Sequence, residues 1–207
     1  MKNFLAIDTS NDYFTAVLGK NGEVYTSFLP DCAMKHSVTL MPEVDSLLRK
    51  ADMKLEDCDY FAAVVGAGSF TGIRIGISAV KGMCLAFTKP SLPITSFDVI
   101  AYNALDRKIL CLVDALHDSY YVCGYEDGVV VYPPAYLSEE EVITLSKEYA
   151  LYACADLPIS SKVKLCVVDP KKGLEKAAIA LATQNKFGDL AALYVRKSSA
   201  ELNLEGK

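Results

Sequence analysis

One pattern recurs in this chain at a fixed interval, and it limits the fold more than any other feature. The stretch FLAIDTSNDYFTAVLGKNGEVYTS (Phe4 to Ser27) parallels ILCLVDALHDSYYVCGYEDGVVVY (Ile109 to Tyr132). Asp8 falls on Asp114, Asp12 on Asp118 and Gly22 on Gly128, all at a shift of 106. Each stretch reads as an apolar strand, a polar turn, a second strand, a hairpin turn ending in glycine and a third strand. Three coincidences in one register, with the same order of elements, predict an internal duplication. The expected lobes are residues 1–105 and 106–207.

Between the copies, HSVTLMPEVDSLLRKA carries Val38, Met41, Val44, Leu47, Leu48 and Ala51 at helical spacing. DYFAAVV is a fully apolar strand, and LPITSFDVIAYNAL gives a short strand and a short helix. In the second half, SEEEVITLSKEYA predicts a helix with a serine cap and a glutamate three residues on. A strand at VKLCVVD and a helix from Leu174 to about Asn185 follow, and the tail from Leu190 has no clear period. Two three-stranded hairpin sheets with crossover helices describe an α/β fold. It is that of the duplicated ribonuclease-H-like lobes of the actin-like ATPase (ASKHA) superfamily, here with a reduced second lobe.

In that architecture the turn after the first strand of each lobe holds phosphate or metal. GAGSFTG, between an apolar strand and a helix, also invites a phosphate reading. It fits neither phosphate pattern. Gly66 is followed at P-loop spacing by Thr71 and Gly68 by Ile73, and Gly66, Gly68 and Gly72 are spaced two and four. The turn at Asp114 has no glycine and offers Leu116 instead, so no closed ATP clasp is expected. The glycine-rich turn is expected to set the helix start, with Ser69 or Thr71 as its cap.

From Thr71 to Phe87 the helix has only Arg74 and Lys81 as charged residues. Gly72, Gly76 and Ala79 make one smooth stripe, and Ile73, Ile77, Val80 and Cys84 a second, apolar one. A helix apolar nearly all round is buried on more than one side. Interior glycines cost about 1 kcal/mol each relative to alanine, so close approach of another backbone is expected at Gly76 and Gly82. That backbone belongs either to this chain or to a partner.

Composition narrows the function. Hydrophobic residues make up 52% and charged residues 23%, an ordered globular balance, and the net charge of −5 does not suit a protein that grips RNA unaided. MKNFLAIDTS stops its apolar run at Asp8, so no signal peptide is expected, and no apolar run approaches the roughly 20 residues that cross a bilayer. Seven cysteines without C-x-x-C spacing read as reduced thiols, which points to a cytoplasmic location. Only His36 and His117 exist and neither has a cysteine at ligand spacing, so no zinc site is expected.

GAGSFTGIRIGISAVKGMCLAF resembles the signature of the bacterial TsaB family, G-P-G-S-F-T-G-[LV]-R-[IV]-G, with only Ala67 departing. LAIDTS, KHSVTLMPEVDSLL and YVRKSSAE extend the resemblance, while VDALHDSYYVCGYE departs at Leu116 and His117 from the usual D-A-R. The resemblance implies a degenerate relative of the transferase TsaD. It would be a non-catalytic scaffold or activator subunit for the TsaD homologue in threonylcarbamoyladenosine modification of tRNA. A TsaE-type ATPase would join the pair, a homodimer would form through the same surface when the chain is alone, and tRNA would be met only indirectly. The helices of the first lobe would pair with TsaD. The implied interface is His36, Met41, Val44 and Leu48 on one helix and Arg74, Ile75, Gly76, Ser78, Ala79 and Gly82 on the other. ITSFDVIAYN lacks the H-x-x-x-H metal motif of TsaD, so no catalytic, metal or cofactor residues are expected, and nothing supports the older glycoprotease or peptidase M22 label.

Two enzymatic alternatives stay open on the residues alone. One is an ATP- or metal-dependent enzyme, a small kinase or TsaD-like transferase, using Asp8 and Asp114. The other is a ribonuclease-H-type nuclease using Asp8 and Asp12, which needs further carboxylates around two metals.

Overall fold

The computed structural model describes residues 2–196, so the end of the YVRKSSAE motif and the rest of the tail lie outside the described residues. The first sheet is built from β1 (Phe4–Asp8), β2 (Phe14–Lys20), β3 (Glu23–Leu29), β4 (Tyr60–Val64) and β5 (Ser91–Ile94), in the order β3-β2-β1-β4-β5. The second contains β6 (Lys108–Asp114), β7 (Ser119–Glu126), β8 (Val129–Ser138), β9 (Ala150–Ala153) and β10 (Leu165–Val167), in the order β8-β7-β6-β9-β10. The orders are equivalent, and so are the directions: two antiparallel pairings, then two parallel ones. Asp8 and Asp114 close the central strands of the two sheets.

Between strands run α1 (His36–Ala51), α2 (Phe70–Phe87) and α3 (Ser96–Ala101) in the first half and α4 (Glu139–Leu145) in the second, and α5 (Pro170–Thr183) follows β10. The second half is indeed reduced: where α2 links β4 to β5, only a 3-10 turn at Pro158–Ser161 links β9 to β10. Helices α1 and α2 cover one face of the first sheet. The other face is covered by Leu174, Ala177 and Ala178 of α5, from the opposite half. Phe97 and Ile100 of α3 in turn pack on Ile109 and Cys111 of the second sheet. The halves therefore interlock, with α3 and α5 in contact between the sheets, and Gly173 lets α5 approach the Val99 carbonyl.

Three expectations need correction. The helix from Ser138 starts as predicted, with Ser138 and Glu141 bonding reciprocally, but it ends at Leu145, and the apolar run from Ala150 is strand β9. Its side chains Leu151 and Tyr152 complete the cores on the two faces of the second sheet, a tertiary demand that overrides helix propensity. The last helix starts at Pro170, capped by Asp169, rather than at Leu174. Finally, α2 is long and apolar enough to be weighed as a membrane span. One face of it, with Gly72, Ile73, Gly76, Ile77, Val80 and Met83, is buried within the chain, and the rest is exposed or half-buried.

Candidate functional site

The turn after β1 meets the glycine-rich turn backbone to backbone. Ser69 N–H donates to the Ser10 carbonyl (2.7 Å), and the Thr9 hydroxyl donates to the Gly72 carbonyl (2.7 Å). A Cβ at Gly68 would collide with the Ser10 carbonyl, at Gly72 with the Thr9 carbonyl and at Gly76 with the Thr9 hydroxyl. Gly66 and Gly68 also adopt left-handed φ values of 117° and 146°. Ser69 caps α2 by accepting from Gly72 N–H. Two of the N–H groups a phosphate would need are thus occupied by the chain itself. The glycines admit the Thr9–Ser10 backbone.

This contact forms one wall of a cleft of about 770 Å³ between the two sheets. Asp8 lies at its floor, 1% exposed. Its Oδ1 accepts from Ser10 N–H (2.8 Å) and the Ser10 hydroxyl (2.6 Å), whereas Oδ2 has no partner. Burial raises the Asp8 pKa above 3.8, partly offset by the Ser10 hydrogen bonds. Thr15, paired with Asp8 across β1 and β2, also has an unpartnered hydroxyl. Across the cleft, Asp114 Oδ1 accepts from Leu116 N–H in a turn whose Leu116, His117 and Asp118 all have positive φ. Burial pushes the nearby Cys154 thiol up to about 12, so it is no thiolate at neutral pH. No three His, Cys, Asp or Glu side chains converge as a metal site among the described residues.

An acid whose pKa is raised by folding binds its proton more tightly when folded. Stability therefore falls as pH rises above 3.8 through the folded value. Asp8→Asn keeps an acceptor for Ser10 and adds an N–H₂ beside Thr15. We expect it to raise the melting temperature at pH 7, with the gain vanishing below about pH 3.8. Thermal denaturation across pH checks this, and a loss at pH 7 would contradict it.

The second candidate site is a groove between α1 and α2 on the outer surface, lined by Leu40, Met41, Phe70, Arg74, Ile75 and Ala79 among others. Met41 in its lining is 50% exposed, and of the other exposed apolar residues Met34 (94%) precedes α1, Val38 (71%) lies on α1 and Leu85 (83%) on α2. Scattered exposed apolar residues are ordinary, and here Val38, Met41 and Leu85 fall on two adjoining helices. Tyr194, from the chain segment after α5, stacks on Phe70 (4.7 Å between ring centres) and accepts from Arg74 Nε (2.9 Å), while the Arg74 guanidinium lies 3.7 Å over Phe70.

The residues expected to form an interface divide here. Met41, Arg74, Ile75, Ser78, Ala79 and Gly82 lie on the outer side of the two helices. His36, Val44, Leu48 and Gly76 do not. Val44 and Leu48 are core residues against the first sheet. His36 is buried and its Nε2 donates to the Asn11 carbonyl (2.8 Å). Gly76 faces Thr9 of its own chain. The apolar stripe read along α1 is really two: Val44, Leu47, Leu48 and Ala51 point in, Val38 and Met41 out. Sequence reasoning missed Phe70 in the groove lining, Tyr194 stacked on it, and the exposure of Met34 and Leu85. Leu85 carried a signal, falling beside Ser78 and Gly82 on one helical face; Tyr194 opens the YVRKSSAE motif, but nothing local placed it against Arg74, 120 residues before it.

Comparison with known proteins accords with this geometry. The family model described as TsaD, tRNA N6-adenosine threonylcarbamoyltransferase, matches residues 23–200. A Bacillus subtilis protein named tRNA threonylcarbamoyladenosine biosynthesis protein TsaB is 32% identical over 124 residues, 59% of this chain and 54% of that one. The protein of the same name from Buchnera aphidicola (strain Sg) is 33% identical over 115 residues, 54% of each chain. This chain thus spans about half the length of the curated relatives it matches. A tRNA N6-adenosine threonylcarbamoyltransferase from Staphylococcus epidermidis is 31% identical over 45% of this chain and 32% of its own length. The fold matches a Pseudomonas aeruginosa structure described as similar to peptidase YEAZ, with a TM-score of 0.80 and 22% identity over 95% of this chain and all of that one. The duplicated sheets, the self-filled glycine turn and these matches lead to one assignment: the chain belongs to the TsaD family of tRNA N6-adenosine threonylcarbamoyltransferase, as a member of its TsaB/YeaZ branch.

Proposed function

We propose that this chain serves threonylcarbamoyladenosine modification of tRNA as a non-catalytic scaffold or activator, docking a TsaD-type transferase through the outer face of α1 and α2. The observation that carries this reading is the groove between those helices, with Met41 exposed in its lining and Val38 and Leu85 exposed on the same two helices. Burying such surface stabilises association by about 25 cal/mol per Å², before the costs of ordering. The wish to keep Phe70 and Arg74 fixed gives the Tyr194 stack a role: it holds one rim of the groove rigid. A TsaE-type ATPase would join the assembled pair, and tRNA would be met by the partner. The same groove would seat a second copy of this chain when the transferase is absent.

Reconstitution tests the proposal. The TsaD homologue of the same organism, with a TsaE-type ATPase and a source of threonylcarbamoyl adenylate, should modify tRNA only when this chain is added. This chain by itself should turn nothing over. Turnover by the purified chain alone, lost in Asp8→Ala, would favour the enzymatic reading instead.

A further inference from the structure

The groove between α1 and α2 has a single charged residue in its lining, Arg74. Its guanidinium is held from two directions. It lies 3.7 Å over the Phe70 ring, and its Nε donates to the Tyr194 hydroxyl (2.9 Å). Phe70 and Tyr194 are stacked on each other, so both supports belong to one unit. These contacts use one face of the guanidinium and its Nε. Among the described residues neither terminal nitrogen, Nη1 or Nη2, has a hydrogen-bond or ion-pair partner, and Arg74 is exposed. An arginine pinned in this way has given up part of its rotamer freedom before any partner arrives. Its free end is a pair of donors suited to a carboxylate, which can accept two parallel hydrogen bonds from it.

The rest of the lining is apolar or neutral, with Leu40, Met41, Ile75 and Ala79 beside the cation. In a chain of net charge −5 this groove is a local exception. A groove between two helices suits the apolar stripe of a third, and the single cation asks for a single acid at the edge of that stripe. A second copy of this chain does not supply one through the same helices. Helix α2 has no Asp or Glu, and α1 has only Glu43 and Asp45. Glu43 accepts from the Ser27 hydroxyl (2.6 Å), and Asp45 is paired with Arg49. We infer that Arg74 sets the specificity of the groove: it takes an aspartate or glutamate beside an apolar stripe on a helix of the transferase partner, and so favours that partner over a second copy. The inference rests on the docking reading given above, and the variants below separate the failure of one from the failure of the other.

The test is the affinity of the full chain for the TsaD homologue of the same organism at low and high ionic strength, for the parent, Arg74→Gln, Arg74→Glu and Lys81→Gln. Arg74→Gln should weaken docking by about tenfold or more. Arg74→Glu should weaken it further, because it sets like charges against each other, and its gap from Arg74→Gln should narrow as salt is added. Lys81→Gln removes the other cation of α2, which is paired with Asp189 and lies outside the groove lining, and should dock as the parent does. Self-association of the chain alone, read by sedimentation, should not weaken in Arg74→Gln. If the parent docks and Arg74→Glu docks equally well, this inference falls and the docking reading stands. It falls likewise if Arg74→Gln and Arg74→Glu are equally impaired at every salt concentration, since packing alone would then account for Arg74, or if self-association weakens as much as docking does. Absence of any complex with the parent overturns the docking reading and this inference with it.

Discussion

Gly76→Leu should destabilise the isolated chain by about 2 kcal/mol or more, even though leucine is the better helix former by nearly 1 kcal/mol. The reason lies inside the chain. A Cβ at Gly76 would meet the Thr9 hydroxyl at 2.5 Å, and that hydroxyl is itself hydrogen-bonded to the Gly72 carbonyl. A leucine there must push the Thr9–Ser10 turn off α2. Overpacking of this kind costs about 1–3 kcal/mol, and breaking a buried hydrogen bond adds about 1 kcal/mol. For a chain of this size the melting temperature should fall by roughly 4–10 °C. Gly82 is the contrast, because nothing lies within 4 Å of its missing Cβ. Gly82→Ala should raise stability by about 1 kcal/mol through helix propensity alone. Thermal unfolding of the two variants reads both effects, and a Gly76→Leu chain as stable as the parent would mean that α2 does not pack on the β1 turn.

That contrast also shows where sequence reasoning stops. The two glycines have the same local signature, a small residue in an apolar helix. What separates them is a turn 67 residues upstream of Gly76, which no helical periodicity records. The bounds of α1, the Ser69 and Ser138 caps and the repeated hairpins were legible because they rest on local hydrogen bonding and period. The exchange of α3 and α5 between the sheets was not, since each helix offers an apolar face that would suit either sheet. Val38 and Val44 of α1 read alike for the same reason: helical spacing marks a stripe but not where one apolar face ends and the next begins. Tyr194 entered the groove rim only through the path of the chain after α5, which has no period to read.

Val38→Glu/Met41→Glu should abolish partner docking while leaving the fold unchanged. Both side chains stand outside the core, at 71% and 50% exposure, so two carboxylates there remain solvated in the free chain. In a complex they would be stripped of water within an apolar contact, and an unpaired buried charge costs several kcal/mol. Apolar truncations of Val44 or Leu48 would act on stability instead, because those residues belong to the core beneath. The variant thus separates the outer stripe of α1 from its inner one.

The most direct measurement of the central claim is the affinity of this chain for the TsaD homologue of the same organism, parent against Val38→Glu/Met41→Glu, with thermal unfolding of each recorded alongside. The account predicts a stable complex with the parent, a loss of about 100-fold or more in affinity for the variant, and matching melting temperatures. Parent-like affinity in a folded variant, or no complex with the parent, would contradict the α1/α2 groove as the docking surface.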